Sequence, residues 1–108
     1  MSKLFYSPEA KNDLAGIKQY IAEELENKAA AIHVITRITK RVRELAKFPA
    51  IGAPLVSIID IQTDYRFLVC GNYTAFYRYD GQDVFVDRIL YGRRDFMKIL
   101  FGEPTEQD

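Results

Sequence analysis

Apolar residues in the first part of the chain recur every three or four positions, the spacing of a helix that buries one face. This helix is predicted to follow a short strand over residues 3–6. Ser7 is a favourable N-cap residue and Pro8 suits the first helical position, so the helix is predicted to begin there. Its apolar face consists of Ala10, Leu14, Ile17, Ile21 and Leu25.

A second helical series follows a break at residues 26–28 and is predicted to extend to about residue 47. Its apolar stripe consists of Ala31, Val34, Ile35, Ile38, Val42 and Leu45. Pro49 and Pro54 mark the end, because neither proline nor the residue before it favours continued helix. The short break predicts an antiparallel helical hairpin, whose apolar faces need a third surface to cover.

The pattern then changes to short segments rich in β-branched and aromatic residues, which are typical of strands. Strands are predicted over residues 55–61, 65–69, 73–79 and 84–90. Residues 70–72 form a turn, and Asp80-Gly81 is a strong hairpin signal because both central positions of a type I′ turn adopt positive φ. Residues 94–101 are predicted to form a last short helix.

The strand over residues 84–90 is predicted to be central and covered on both faces. Val84, Val86 and Leu90 are expected on one face, and Phe85 and Ile89 on the other. The predicted fold class is α+β, a single compact domain with the order β-α-α followed by a three- or four-stranded antiparallel β-meander and a short C-terminal helix. The domain is predicted over residues 1–102, and residues 103–108 form a polar C-terminal tail.

Composition and charge narrow the possible classes of protein. The 108 residues carry 15 basic and 15 acidic side chains, whereas a protein that grips many phosphates is usually basic overall. Cations are nevertheless concentrated locally, with six basic residues and one acid over residues 28–47 and four basic residues and one acid over residues 88–98. There is no apolar run of the roughly 18–20 residues that span a membrane, and no signal-peptide pattern. We therefore expect a cytoplasmic protein without a membrane partner.

Arginines supply the candidate binding residues. Arg93 and Arg94 follow the last strand and form an exposed cationic site for carboxylate or phosphate, unless one of them pairs with Asp95. If Arg66 and Arg78 share a face of the sheet, they could join Arg94 in one cluster; otherwise they are ordinary surface residues.

Two further features have a structural interpretation. Arg88 interrupts an apolar face, so it is predicted to be paired, with Asp60, Asp64 or Asp87 supplying the acid. The basic residues of the second helix form a solvated face or, alternatively, a landing surface for an acidic partner segment.

The single histidine and the single cysteine complete the search for reactive groups. His33 lies far in sequence from Cys70, so a catalytic cysteine–histidine pair is a poor interpretation. A single cysteine cannot form an internal disulfide. No cluster of ligands suggests a metal, so no metal and no cofactor are expected.

Several short motifs occur in an order that is specific in combination. They are residues 5–10 with Asp13-Leu14, residues 45–49 with Gly52 and Pro54, Tyr65-Arg66 with residues 71–73, residues 76–79, and residues 88–90 with Gly92-Arg93-Arg94-Asp95. The set resembles the RelE/ParE toxin superfamily over about residues 3–100. The resemblance implies a RelE/ParE-like fold and the toxin of a type II toxin–antitoxin system, a plasmid stabilisation protein that inhibits growth until an antitoxin covers it.

The superfamily divides by target: RelE-like members cut mRNA in the ribosomal A site, and ParE-like members act on DNA gyrase. Metal-independent RNA cleavage needs cations and a proton donor. Arg94 matches the family arginine, but Thr74 stands where the nucleases carry an arginine. Residues 99–101, Ile-Leu-Phe, stand where a tyrosine or histidine is expected. These departures favour the ParE-like branch, although Tyr91 stands where that branch often has histidine.

The resemblance implies partners and site residues. The residues expected to bind the target or the antitoxin are Arg66, Arg78, Tyr91, Arg93, Arg94, Lys98 and Phe101. The partners are a cognate antitoxin and DNA gyrase, with a homodimer or a hetero-oligomer with the antitoxin as possible assemblies. Two alternatives stay open: a ribosome-dependent mRNA endoribonuclease with Arg66 and Arg94 as catalytic residues, and a degenerate, non-toxic member that only binds antitoxin.

Overall fold

A computed structural model describes residues 2–92 and 95–102 and confirms the α+β fold class. The elements are β1 (Leu4–Tyr6), α1 (Pro8–Gln19), α2 (Lys28–Arg43), β2 (Ala53–Pro54), β3 (Arg66–Cys70), β4 (Tyr73–Tyr79), β5 (Val84–Tyr91) and α3 (Phe96–Phe101). The sheet order is β1-β5-β4-β3-β2. β3, β4 and β5 form the predicted antiparallel meander. The sheet is mixed, however, because β1 pairs in parallel with β5 at one edge.

The helical hairpin covers one face of the sheet. The Ser7 hydroxyl accepts a hydrogen bond from the Ala10 N–H at 2.9 Å, as expected of an N-cap. Asn27 caps α2 through the Ala30 N–H at the same distance. α2 ends earlier than predicted, since residues 44–46 form a 3₁₀ turn. The main core between hairpin and sheet consists of Ala10, Ile38, Val42, Leu45, Leu68, Cys70, Ala75, Tyr77, Val84, Val86 and Ile89.

One residue of the predicted α1 stripe does not reach the core. Leu25 is 57% exposed, because α1 continues into a π-helical turn over Tyr20–Glu24. The Leu25 N–H donates to the Tyr20 carbonyl five residues earlier, at 3.2 Å. A π turn takes more residues than an α turn, so the extension of the α-helical period to Leu25 was wrong.

The opposite face of the sheet is covered by α3 and by the segment between β2 and β3. Leu55, Phe76 and Leu90 form a second buried cluster there, against which Phe96 and Phe101 of α3 pack. The predicted strand over residues 55–61 was wrong. Residues 55–57 form a 3₁₀ turn, and the Ser57 hydroxyl donates to the Pro54 carbonyl at 2.7 Å, which favours a turn over an extended chain.

A β-bulge changes which side chains of β5 face the helices. Phe76 is paired with Arg88 and Tyr77 with Val86, so Asp87 has no partner across the ladder. One extra residue reverses the alternation beyond the bulge. Ile89 therefore joins Val84 and Val86 in the main core, while Leu90 joins the second cluster. The predicted assignment of Ile89 and Leu90 to the two faces of the sheet was wrong. β5 is central, as predicted, and contributes to both clusters.

Candidate functional site

The candidate site is the end of the sheet where β5 leads into α3. The Gly92 N–H donates to the Asn72 carbonyl at 2.7 Å, which ties the chain after β5 to the turn between β3 and β4. Gly92 and Asp95, the described residues on either side of positions 93 and 94, both have positive φ, 59° and 55°. Arg93 and Arg94, the residues predicted to dominate this site, lie outside the described residues.

Three tyrosines from three elements surround this end of the sheet. The rings of Tyr73 and Tyr91 meet edge to face, with centroids 5.5 Å apart. Burial raises the pKa of the Tyr73 hydroxyl, and the neighbouring Tyr91 and Tyr20 raise it further. Tyr20 and Tyr91 are 55% and 56% exposed. We call Tyr20, Tyr73 and Tyr91 the tyrosine cluster; tyrosine is enriched at the energetic centres of protein interfaces.

Only Tyr91 of this cluster was a predicted site residue. Tyr20 was missed because it stands in none of the motifs and the chain has seven tyrosines. Tyr73 stands in the motif of residues 71–73 but was assigned no role. Tyr20 begins the π-helical turn, and Tyr73 lies opposite Tyr91 in the β4–β5 register. A predicted β4–β5 register would have found Tyr73, whereas no local signal indicates Tyr20.

α3 holds the two remaining predicted residues near this end. Phe96 stacks on Phe76 with ring centroids 5.5 Å apart, and Phe101 meets Tyr65 edge to face at 5.8 Å. Phe101 is thus partly buried and serves to anchor α3. Lys98 lies on the exposed side of the same helix.

Arg66 has a structural environment. Its Nη2 donates to the Gly52 carbonyl at 2.6 Å and to the Ala50 carbonyl at 3.2 Å, and its Nε donates to the Tyr77 hydroxyl at 3.3 Å. The Tyr77 hydroxyl in turn donates to the Pro49 carbonyl at 2.6 Å. Arg66 therefore fastens the loop before β2 onto the sheet.

Arg78 lies on the other face of the sheet. Arg66 is directly opposite Tyr77 in register, so the next residue, Arg78, points the other way. Its Nε pairs with the Asp87 carboxylate at 3.0 Å, and its guanidinium lies over the Tyr65 ring. The cluster proposed from Arg66 and Arg78 does not form, because the two side chains are on opposite faces.

The Asp87 carboxylate also fixes Tyr65. The Tyr65 hydroxyl donates to Asp87 Oδ2 at 2.7 Å. Burial and this hydrogen bond raise the pKa of Tyr65 to about 12. A phenol with so high a pKa and an acceptor already engaged is a poor general base near neutral pH.

Arg88 is paired, as predicted, but with a different acid. Its Nε and Nη2 donate to the Asp13 carboxylate of α1 at 2.8 and 2.9 Å. Asp13 Oδ2 also accepts the Ile89 N–H at 2.9 Å. The predicted partners Asp60, Asp64 and Asp87 were wrong, because the helical hairpin brings an acid 75 residues away in sequence onto the bulge of β5.

The position at which the nucleases carry an arginine is buried here. Thr74 is 3% exposed and lies opposite Val69 and Leu90 in register.

Within the described residues, no three His, Cys, Asp or Glu side chains are grouped to hold a metal ion. None of the helices in the described ranges is long and apolar enough to cross a membrane.

Cys70 is buried in the main core and is expected to make stability depend on alkaline pH. Burial raises the pKa of its thiol from 9.0 to about 11. Between pH 9 and 11 the unfolded chain has lost this proton while the folded chain keeps it. The free energy of unfolding should therefore fall there by about 1.4 kcal/mol per pH unit from this group.

Urea unfolding of the wild type and of Cys70→Ala at pH 8, 9.5 and 11 tests this expectation. The difference between the two proteins removes the contributions of tyrosines and lysines that titrate in the same range. The decline should be shallower in Cys70→Ala. Parallel declines would show that the thiol does not titrate differently in the folded chain.

Comparison with known proteins gives a family and a fold. The family model described as ParE toxin of type II toxin-antitoxin system, parDE, matches residues 4–96. The chain is similar to a solved structure of a chromosomal ParDE TA system from P. aeruginosa, with a TM-score of 0.71, 22% identity, and coverage of 84% of this chain and 96% of that one. No curated protein sequence matches.

Two further solved structures share the fold at lower similarity. The toxin–antitoxin complex RelBE2 from Mycobacterium tuberculosis has a TM-score of 0.62 and 16% identity, covering 83% of this chain and 96% of that one. The DinJ-YafQ complex from E. coli has a TM-score of 0.53 and 14% identity, covering 94% of this chain and all of that one. At these identities the likeness concerns the fold alone.

Proposed function

The chain belongs to the ParE toxin family of type II toxin–antitoxin systems, and we propose that it inhibits DNA gyrase in the cytoplasm without cleaving its target and is neutralised by a cognate antitoxin. The family match supports the toxin role. The solved relatives named as toxin–antitoxin complexes support an antitoxin partner for this chain.

The observation that supports the non-catalytic mechanism is the structural role of Arg66, one of the two catalytic residues expected of a nuclease. Arg66 is held by the carbonyls of Ala50 and Gly52, and Arg78 by the Asp87 carboxylate. The Tyr65 hydroxyl donates a hydrogen bond to the same carboxylate. RNA cleavage needs cations that face the scissile phosphate and a group that transfers a proton. Arg66 instead holds the loop before β2, and Arg78 and Tyr65 hold the second face of the sheet together.

The surface proposed to contact the target is the end of the sheet beside Gly92. By sequence it carries Arg93 and Arg94, whose guanidinium groups suit carboxylates or phosphates. The exposed Tyr20 and Tyr91 supply aromatic area at this end of the sheet. Lys98 and Phe101 of α3 are also part of the proposed surface. Phe101 fixes the position of the helix, and Lys98 adds a cation.

We expect induction of the chain without antitoxin to stop growth with DNA damage and intact mRNA. In vitro, the purified chain should inhibit supercoiling by gyrase. Arg93→Ala/Arg94→Ala should raise the concentration for half-inhibition at least about 10-fold, since each 1.4 kcal/mol of lost binding is tenfold. Lys11→Ala/Lys18→Ala removes the same charge from the exposed side of α1 and is the matched control.

The outcomes separate the classes of mechanism. Rapid cleavage of translated mRNA on induction would overturn the gyrase proposal in favour of an endoribonuclease. Unimpaired growth, with tight binding to the antitoxin, would identify a degenerate member that retains only the partner. Equal loss of inhibition in the arginine variant and the lysine control would remove Arg93 and Arg94 from the proposed surface.

A further inference from the structure

Two tyrosine rings meet at the end of the sheet beside Gly92. Tyr73 begins β4 and Tyr91 ends β5, and the two residues are partners in the β4–β5 ladder. The Gly92 N–H donates to the Asn72 carbonyl at 2.7 Å, so the next pair along the ladder is a hydrogen-bonded one. Hydrogen-bonded and non-hydrogen-bonded pairs alternate in an antiparallel ladder, and side chains lie closer in the latter. Tyr73 and Tyr91 therefore form a close side-chain pair.

The two rings have different surroundings. Tyr73 is half-buried and packs against the main core, whereas Tyr91 is 56% exposed. Their ring planes are inclined at 80°, with centroids 5.5 Å apart, which is the edge-to-face arrangement that aromatic pairs prefer. Tyr73 is thus a fixed support, and Tyr91 is the ring that this support holds toward the solvent.

The groups that act on Tyr73 are other phenols. Burial raises the pKa of the Tyr73 hydroxyl, and Tyr91 and Tyr20 raise it further. Phenols are uncharged near neutral pH, since their ordinary pKa is about 10. The tyrosine cluster therefore presents apolar rings with hydroxyl tips, which suit an apolar protein segment. This contact differs in chemistry from the ionic contact that arginine side chains make.

We propose that Tyr73 is a positioning residue for target binding: it holds the Tyr91 ring in the orientation in which Tyr91 packs against an apolar segment of DNA gyrase. This inference rests on the proposed function, because it takes gyrase to be the target. Tyrosine offers a large contact area at a low cost in side-chain entropy, and a ring that is already held in its bound orientation lowers that cost further. Tyr73 itself does not touch the target and acts through Tyr91.

Tyr79 is the matched control residue, because it ends the strand that Tyr73 begins. The two tyrosines are six residues apart, so they lie on the same face of the sheet, about 20 Å from each other along the strand. Tyr79 is 37% exposed, and its partner in the ladder is Val84 rather than an aromatic residue. Tyr79→Ala thus removes a partly exposed tyrosine and leaves the tyrosine cluster intact.

The test measures the affinity of the full chain for DNA-free gyrase and its inhibition of supercoiling. Tyr91→Ala should weaken both at least about 10-fold, as loss of an aromatic contact at an interface centre does. Tyr73→Leu keeps an apolar group against the core but removes the ring, and should weaken both about 5-fold. Tyr73→Phe keeps the ring and, like Tyr79→Ala, should stay within about 2-fold of the wild type. Urea unfolding of each variant verifies that it is folded in the assay.

A double-mutant cycle separates positioning from a general structural role. If Tyr73 acts through Tyr91, adding Tyr73→Leu to Tyr91→Ala should weaken binding by less than about a further 2-fold. The same loss from Tyr73→Leu in both backgrounds would show that Tyr73 supports the whole fold or touches the target itself, and would overturn the proposal. The loss in Tyr91→Ala should also be equal at about 0.05 M and about 0.3 M salt, because salt screens charges and not apolar contacts.

The remaining outcomes distinguish this inference from the proposed function. Full inhibition by Tyr91→Ala would overturn the inference and leave the gyrase proposal standing. A loss that shrinks with salt would overturn the apolar contact. Weakening that appears only when DNA is present would assign Tyr91 to the DNA and overturn the contact with gyrase. If the wild type neither binds gyrase nor inhibits supercoiling, the proposed function fails and this inference fails with it.

Discussion

Replacing Asp13 with alanine is expected to lower the free energy of unfolding by about 3 kcal/mol, because it strands a charge at the packed junction of α1 and β5. The Asp13 carboxylate receives two hydrogen bonds from Arg88 and one from the Ile89 N–H. The Asp13 side chain is 14% exposed and that of Arg88 is 28% exposed. Removal of the acid leaves a guanidinium and a backbone N–H with poor access to water.

Two companion variants separate charge from hydrogen bonding. Asp13→Asn keeps an oxygen that can accept the Ile89 N–H and should be less destabilising than Asp13→Ala. Asp13→Ala/Arg88→Met removes both charges and should recover part of the loss, since an ion pair replaced by apolar groups often costs little. Urea unfolding gives all three values. A double variant as unstable as Asp13→Ala would mean that the stranded charge is not the cause.

Replacing Gly52 with alanine is expected to cost about 3 kcal/mol through overpacking. A Cβ at this position would lie 2.5 Å from the Phe67 carbonyl oxygen and 2.6 Å from the Tyr77 hydroxyl. The first of these atoms belongs to the backbone of the residue paired with Ala53, so it cannot rotate away. Either the loop or the strand must move, and the hydrogen bonds of Tyr77 to Pro49 and Gly52 would be lost with it.

Gly16 provides the matched control for this substitution. It lies in α1, and a Cβ there would meet nothing within 4 Å. Gly16→Ala should therefore stabilise the chain by roughly 0.5–1 kcal/mol, the usual gain for alanine over glycine inside a helix. Thermal and urea unfolding of both variants test the pair. Similar stabilities of Gly16→Ala and Gly52→Ala would show that the loop yields to the extra methyl group without strain.

Much of the fold could be predicted from local patterns. The helical period identified α1 and α2, and the alternation with the Asp80-Gly81 turn identified β4 and β5. The predicted strand over residues 55–61 was wrong because an apolar run does not distinguish a strand from a turn that buries one residue, here Leu55. Pro54 and Ser57 supplied the turn signals that would have corrected it.

The candidate site could be predicted only in part. The motif around Gly92 indicated the end of β5, and the structure places Tyr91 beside this turn. Arg66 and Arg78 were candidates either for a cationic cluster or for ordinary surface positions, yet each is held by groups distant in sequence. No local sequence pattern indicates that a loop carbonyl or a carboxylate across the sheet will bind an arginine side chain.

By itself the sequence determined the fold class, the helical hairpin, the meander and the resemblance to a toxin superfamily. Each of these depends on periodicity or on short motifs, which are properties of neighbouring residues. Only the tertiary structure decided that Asp13 pairs with Arg88 and that Ile89 rather than Leu90 joins the main core. It also decided that the pairing of β2 with β3 ends at Phe67. These outcomes depend on a bulge and on contacts between residues far apart in sequence, which packing selects and local patterns do not encode.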